Sequence, residues 1–314
     1  MLRWAFALLA VLAAALAGLY AWRDQEHFTL DDAARRGIAG SFVGLSQGVV
    51  HYELTGPQSA PHTVVLVHGF SVPYFIWDPT FDALVASGMR VLRYDLFGRG
   101  FSDRPDVAYD ADLFDRQLGE LLDALGIHEP VDLAGLSMGG PIVVRFADRH
   151  PARVRSLVLV DPAYHGVARL EGWLRTPGVG EYLMDVAVAP TMPQGQIDDF
   201  ERPEGHADYV EKYRVQMRYH GFRRAILSTI RSAEHDPDTR EAFARVGATE
   251  LPVLIVWGRD DRSVPFAVSD EVRKAMPRAE FRPIDDAGHI PQYEKPAVVA
   301  PIIAGFLRDE DRAH

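Results

Sequence analysis

Between Val131 and His150 the chain reads VDLAGLSMGGPIVVRFADRH: an apolar run, a Gly-x-Ser-x-Gly pentapeptide and an amphipathic helix in unbroken succession. Ser137 stands where the run becomes the helix. Gly135 and Gly139 carry no Cβ on either side of it, so the backbone can turn sharply and leave the hydroxyl at the tip. The free N–H groups of the helix N-terminus then point into the space beside that hydroxyl. A hydroxyl held still next to unsatisfied donors suits a nucleophile whose attack creates an oxyanion.

The pentapeptide is not sufficient by itself. Gly44-Leu45-Ser46-Gln47-Gly48 repeats it, but Val50, Tyr52 and Leu54 then alternate as a strand and no helix follows. Ser46 therefore reads as a hairpin turn between strands Ser41–Leu45 and Val49–Leu54.

The wider context of Ser137 is a strand–helix alternation. Thr63–Val67, Val91–Tyr94, Val131–Leu133 and Val154–Val160 are short apolar runs, as expected of strands buried on both faces of a parallel sheet. Helical patterns at Ile76–Ser87, Asp112–Leu125 and 138–150 separate them. This rhythm predicts an α/β doubly wound sheet, in which ligands bind at the carboxyl ends of strands. His68-Gly69, Asp95, Ser137 and Asp161 all fall at such ends.

From 163 to 247 the strand rhythm stops, and apolar residues such as Phe222, Ala225, Ile226, Thr229 and Ile230 recur at helical spacing. This stretch is expected to form a helical cap over the strand ends, on a core of residues 40–162 and 248–314. The sheet resumes at Pro252–Trp257, followed by Gly258-Arg259-Asp260-Asp261, a strand at Glu280–Ile284, the loop Asp285–His289 and a last helix at Pro296–Leu307.

The amino terminus is of a different kind. Residues 4–22 contain no charge, lie between Arg3 and Arg23, and end in Trp4, Tyr20 and Trp22. As a helix this stretch spans roughly 28 Å, close to a bilayer's hydrocarbon thickness, and its aromatic ends suit the two interfaces. The expectation is a single-pass anchor. Cleavage as a signal peptide after Ala15-Leu16-Ala17 is the alternative, with a secreted protein as its result. By analogy with single-span exported enzymes, the catalytic domain is expected outside a bacterial-type inner membrane. Residues 23–39 should form a juxtamembrane helix, with Thr29 and Asp32 at its start and Gly37 as its stop.

Composition closes several routes. A net charge of −11 argues against nucleic acid, and the absence of cysteine rules out disulfides, thiolate metal sites and a Cys nucleophile. No cluster among the twelve histidines has metal-ligand spacing. No cofactor and no metal are expected.

Taken in order, His68-Gly69 after a strand, the glycine turn Asp95–Ser102, Gly-Leu-Ser137-Met-Gly, Gly258-Arg-Asp-Asp261 and Gly288-His289 resemble the α/β-hydrolase family over roughly residues 40–308. The resemblance implies a mostly parallel eight-stranded sheet with a helical cap inserted after strand six. It also implies a triad of Ser137, Asp261 and His289, with an oxyanion hole formed by the N–H groups of Met138 and Phe70, to which Ser71 could add a hydroxyl. Chemically, a serine needs a base to take its proton, and the base needs an acid to hold its tautomer. Asp260 is a rival for the acid through adjacency. Asp161 is another, since some family members carry the acid after strand six. His68 and Asp95 read as loop organisers, and His150 and His220 as surface or packing residues.

Serine at the nucleophile position disfavours the haloalkane and epoxide hydrolases of this fold, which use aspartate there. The layout resembles bacterial membrane-anchored phospholipase A enzymes and monoacylglycerol-lipase-type esterases. The expected activity is hydrolysis of lipid-like carboxylic esters: phospholipid, lysophospholipid or monoacylglycerol. The alternatives are a C–C bond hydrolase of the meta-cleavage type, and an inactive membrane-tethered binding protein. The expected partners are a lipid or ester small molecule, the membrane through the N-terminal helix, and a second copy of the chain in a homodimer.

Overall fold

The computed structural model describes residues 2–166, 172–233 and 238–308. Parts of the expected cap (167–171 and 234–237) and the end of the expected core (309–314) lie outside the described residues. Eight strands form one sheet in the order β1-β2-β4-β3-β5-β6-β7-β8. They are β1 (Ser41–Leu45), β2 (Gly48–Thr55), β3 (Thr63–Val67), β4 (Arg90–Tyr94), β5 (Val131–Leu136), β6 (Val154–Val160), β7 (Val253–Gly258) and β8 (Glu280–Ile284). β2 runs antiparallel to both of its neighbours, and every other pairing is parallel.

Alternation along the strands sorts the core into two layers. Val65, Val67, Leu133, Leu157 and Ile255 enter one cluster, while Val64, Leu66, Ala134, Val158 and Leu254 enter the other. Helices α4 (Ala111–Ala124) and α5 (Gly139–Arg149) supply the first layer with Leu118, Leu122, Val143 and Phe146. α3 (Asp78–Ala86) and the C-terminal helix Pro296–Arg308 supply the second with Phe81, Leu84, Val299 and Ile303.

Chain order reverses at β3, whose sheet neighbours are β4 on one side and β5 on the other. Crevices in such sheets open at this switch point, beyond the carboxyl ends of the strands. The loops after β3 and β5 carry Phe70 and Ser137.

Between β6 and β7 the described residues form no strand of the sheet. This inserted segment contains α6 (Val179–Leu183), α7 (Met192–Gly195), α8 (Ala207–Gln216), α9 (Phe222–Ala233) and α10 (Thr239–Gly247). α10 packs on α5, so this helix belongs to the sheet's outer layer.

The N-terminal helix α1 (Leu2–Arg23) is long and apolar enough to cross a membrane, and none of its residues is buried. The juxtamembrane expectation needs correction. After Arg23, which ends α1, only Asp32–Arg35 (α2) is helical, and its cap is Asp31, whose carboxylate accepts from Ala34 N at 2.8 Å. The residues before it are drawn out by contacts with the inserted segment. His27 N and Phe28 N both donate to Arg218 O (2.8 and 2.9 Å), and His220 N donates to Phe28 O (2.9 Å). A backbone engaged with residues almost two hundred positions away cannot also close helical turns.

Candidate active site

Ser137 has φ +52°, in the left-handed region, and is held by three backbone bonds. Its N–H donates to Val160 O (2.9 Å), while its carbonyl accepts from Gly140 N (2.9 Å) and Ala163 N (3.0 Å). The flanking glycines are required by close approach. A Cβ at Gly135 would lie 2.3 Å from Gly139 O, and one at Gly139 would lie 2.5 Å from Val67 O. The turn can form only where the helix start lies directly on the neighbouring strand.

Ser137 and His289 line one cavity of about 470 Å³. Residues Gly69–Val72 and Ile290 contribute from the core; Thr191, Met192, Gly195, Gln196 and Asp199 contribute from the inserted segment. His289 Nδ1 lies 2.8 Å from Asp261 Oδ2, with both groups buried. Since a carboxylate only accepts, Nδ1 carries the proton and Nε2 is left free to accept one. Asp261 is locked in turn, its Oδ1 accepting from Ser263 N and Val264 N, each at 2.8 Å. Burial works to lower the His289 pKa, but the charge and hydrogen bond of Asp261 outweigh it, and the imidazole ends above its ordinary 6.5.

The rival acids are placed differently. Asp260 is exposed, with its N–H on Ala287 O at 3.0 Å. Asp161 is fully buried beside Asp261 and His289, where one ligating atom from each of the three residues lies within 4.8 Å of the others. Phe70 lines the cavity, and Met138 precedes α5 at its N-terminus. Among the described residues, no acceptor takes the N–H of Phe70 or of Met138. Ser71 lines the same cavity, and its carbonyl accepts from Gln216 Nε2 at 2.8 Å.

His68 is fully buried. Its Nδ1 bonds Gly69 O (2.8 Å) and its Nε2 accepts from Leu96 N (2.9 Å). Burial pushes its pKa down to about 4, which leaves a neutral ring tying two loops together. Asp95 organises the neighbouring turn, accepting from Tyr74 N and Phe101 N, each at 2.9 Å, and pairing with His51 at 2.7 Å.

Two further residues shape the site region. Arg99, fully buried, donates from Nε to Phe70 O. Asp199 brings a carboxylate into the cavity, accepts from Ser263 Oγ at 2.6 Å, and receives the His289 N–H on its own carbonyl at 2.7 Å. Burial pushes the Asp199 pKa up, although the charge of His289 and the Ser263 hydroxyl pull against it. The Gly-Arg-Gly turn hinted at Arg99; nothing local in Gln196-Ile197-Asp198-Asp199 marked Asp199.

A serine at a strand-to-helix elbow, an imidazole on a buried carboxylate and two unclaimed N–H groups form a unit able to transfer an acyl group. The α/β-hydrolase fold model matches residues 62–296, and the chain belongs to that family and is a hydrolase. A 2-hydroxy-6-oxononadienedioate/2-hydroxy-6-oxononatrienedioate hydrolase from Paraburkholderia phymatum is 30% identical over 299 residues, covering 89% of this chain and 98% of that protein. The solved structure of a membrane phospholipase A is similar over 100% of both chains, with TM-score 0.70 and 26% identity. The enol-lactonase from Burkholderia xenovorans has TM-score 0.74 over 86% of this chain and 100% of its own; at 22% identity this is a likeness of fold alone.

Proposed function

We propose that the protein is a serine carboxylic ester hydrolase acting on uncharged acyl esters of lipid type, held at a membrane by α1. Ser137 Oγ attacks the ester carbonyl while His289 Nε2 takes its proton. The tetrahedral oxyanion sits against the N–H groups of Phe70 and Met138. Collapse expels the alcohol with the proton from His289, and water then cleaves the acyl-serine by the same steps. Asp261 steadies the imidazolium throughout.

The observation that carries the reading is the charge of the cavity. Among the described residues that line it there is no lysine or arginine, whereas Asp199 adds a carboxylate to the cavity that holds the serine. A doubly anionic substrate would be desolvated there against like charge. A neutral ester would not.

The attachment of α1 supports a lipid source. Tyr182 of the inserted segment donates to Leu16 O at 3.2 Å and stacks on Tyr20. The anchor thereby touches the part of the chain that also walls the cavity. We place the catalytic domain on the extracytoplasmic side, by analogy with other single-span exported enzymes.

Identity of 30% to a meta-cleavage hydrolase supports a second reading, cleavage of a C–C bond by the same triad. The test is a panel run with detergent-solubilised full-length protein and its Ser137→Ala variant. It contains monoacylglycerols, lysophospholipids, phospholipids and a coloured dienoate. Turnover of the uncharged monoacylglycerols ahead of the phosphate-bearing lipids, vanishing in the variant, is expected. Equal ester rates in both proteins would overturn the assignment, and turnover of the dienoate alone would select the second reading. Failure of a fluorophosphonate to label Ser137 in folded protein would instead point to an inactive binding protein.

A further inference from the structure

Asp161 has no part in the steps above, yet its placement is costly. It is 0% exposed at the end of β6, with φ +43°, a backbone that L-residues seldom adopt. Its N–H donates to Val256 O at 3.0 Å, and its Oδ1 accepts from Gly258 N at 2.9 Å. Oδ2 is buried and finds no donor among the described residues. The titratable groups facing it are Asp261 on the loop after β7, His289 on the loop after β8 and Asp199 on the inserted segment.

Two carboxylates this close, sealed from water, cannot both hold a charge, so the pair keeps one proton. The donors decide where it sits. Asp261 receives three: Ser263 N, Val264 N and His289 Nδ1–H. Asp161 receives one, and its other oxygen is empty. The proton therefore belongs on Oδ2 of Asp161.

We propose that Asp161 is a neutral carboxylic acid that donates a hydrogen bond to Asp261 and so positions that carboxylate on His289. It acts through Asp261 and does not touch substrate. Burial, the charge of Asp261 and a hydrogen bond to it all push Asp161 well above the usual carboxylate range, in keeping with this placement. The acid of the triad is then a two-carboxyl unit with a single negative charge. The Asp161 hydroxyl spreads that charge and restrains its pull on the imidazolium.

The kinetic part of this inference rests on the serine hydrolase reading; the protonation part does not. Difference infrared spectra of wild type and Asp161→Asn at neutral pH should contain the C=O stretch of a protonated carboxylic acid, present only in wild type. In kinetics on a soluble ester, Asp161→Ala should lose about ten- to a hundredfold in kcat with KM unchanged, the worth of one hydrogen bond to a charged group. Its acid limb should move to higher pH as Asp261 regains its full charge. Asp161→Asn, whose amide offers the same donor and tolerates a left-handed backbone, should restore most of the rate and the original limb.

Thermal melts of both variants separate lost folding from lost chemistry. Absence of the infrared band overturns the inference even if esters are hydrolysed. So does an Asn variant as impaired as Ala at equal melting temperature. A band in a protein that hydrolyses nothing keeps the shared proton and sinks the serine hydrolase reading instead.

Discussion

Arg99 Nε donates to the carbonyl oxygen of Phe70 at 2.8 Å, joining the glycine turn after β4 to the loop after β3. The same guanidinium reaches Thr229 Oγ1 on α9 at 2.9 Å and Phe97 O at 3.3 Å, and lies near the Phe70, Tyr109 and Phe114 rings. Burial lowers its pKa to about 10, so it remains a cation at neutral pH. A planar fork is required, because an ammonium cannot meet three fixed acceptors in these directions. With Phe70 in the proposed oxyanion hole, Arg99→Lys should let its loop drift and lower kcat by about a hundredfold, the scale of a misplacement near 1 Å. Steady-state rates on a soluble ester check this; an unchanged kcat would remove Arg99 from the positioning of the loop.

The raised pKa of His289 sets the sign of a pH profile. The imidazole must be neutral to accept the serine proton. Activity should therefore fall as pH drops through its pKa, with the acid limb of kcat/KM above 6.5. A profile flat down to well below that value would exclude His289 as the base.

Asp199 should act on selectivity more than on rate. Asp199→Asn removes the cavity carboxylate and keeps an acceptor for Ser263 Oγ. The ratio of kcat/KM for an anionic ester to that for a neutral ester of equal chain length should rise by about tenfold, one partly buried charge interaction. Measured side by side, an unchanged ratio would show that the anionic group never approaches Asp199.

Glu26 ties the segment after α1 to the inserted helices. Its carboxylate accepts from Gly221 N and Arg223 N, both at 2.7 Å, at the start of α9, where the helix has donors to spare. Glu26→Ala should cost about 1–3 kcal/mol, the loss of bonds to a charged, mostly buried group. Hydrogen exchange at the amides of residues 221–223 should quicken. Unaltered protection there would mean that the contact is not made in solution.

Asp95 and His51 are both buried, 2.7 Å apart. Burial opposes both charges, but their mutual hydrogen bond prevails, lowering Asp95 below 3.8 and raising His51 above 6.5. The contribution from His51 is complete below 6.5 and fades as pH rises through its raised pKa. That from Asp95 is complete above 3.8 and fades as pH falls through its lowered one. Asp95→Asn should cost about 3–5 kcal/mol, as breaking a buried pair does. The gap from wild type in denaturant melts should be widest between about pH 4 and 6.5. A gap independent of pH would show that the pair is neutral.

Much of the scaffold is readable in one dimension because its signals are local. β3 runs over Thr63–Val67, the span that its apolar, β-branched run predicts, and β8 occupies the expected Glu280–Ile284. The hairpin reading of Ser46 agrees with the Leu45–Gly48 pairing, which leaves that serine in a turn with its Oγ on Glu120 at 2.6 Å. Local patterning failed at 23–39. A helical pattern was present there, but Glu26, His27 and Phe28 bind α9 and the turn before it, and helix propensity is too weak a force to win against those bonds.

From order alone, the sequence determined the sheet, the helices around it and the strand-end positions of Ser137, Asp261 and His289, since periodicity and turn chemistry act over a few residues. Closure of the fold decided the rest. It placed the Asp199 carbonyl under the His289 N–H, set Arg99 on Phe70, and sealed Asp161 beside Asp261. These contacts join residues between 29 and 100 positions apart, and only burial in a shared, water-poor site gives such pairs their energy.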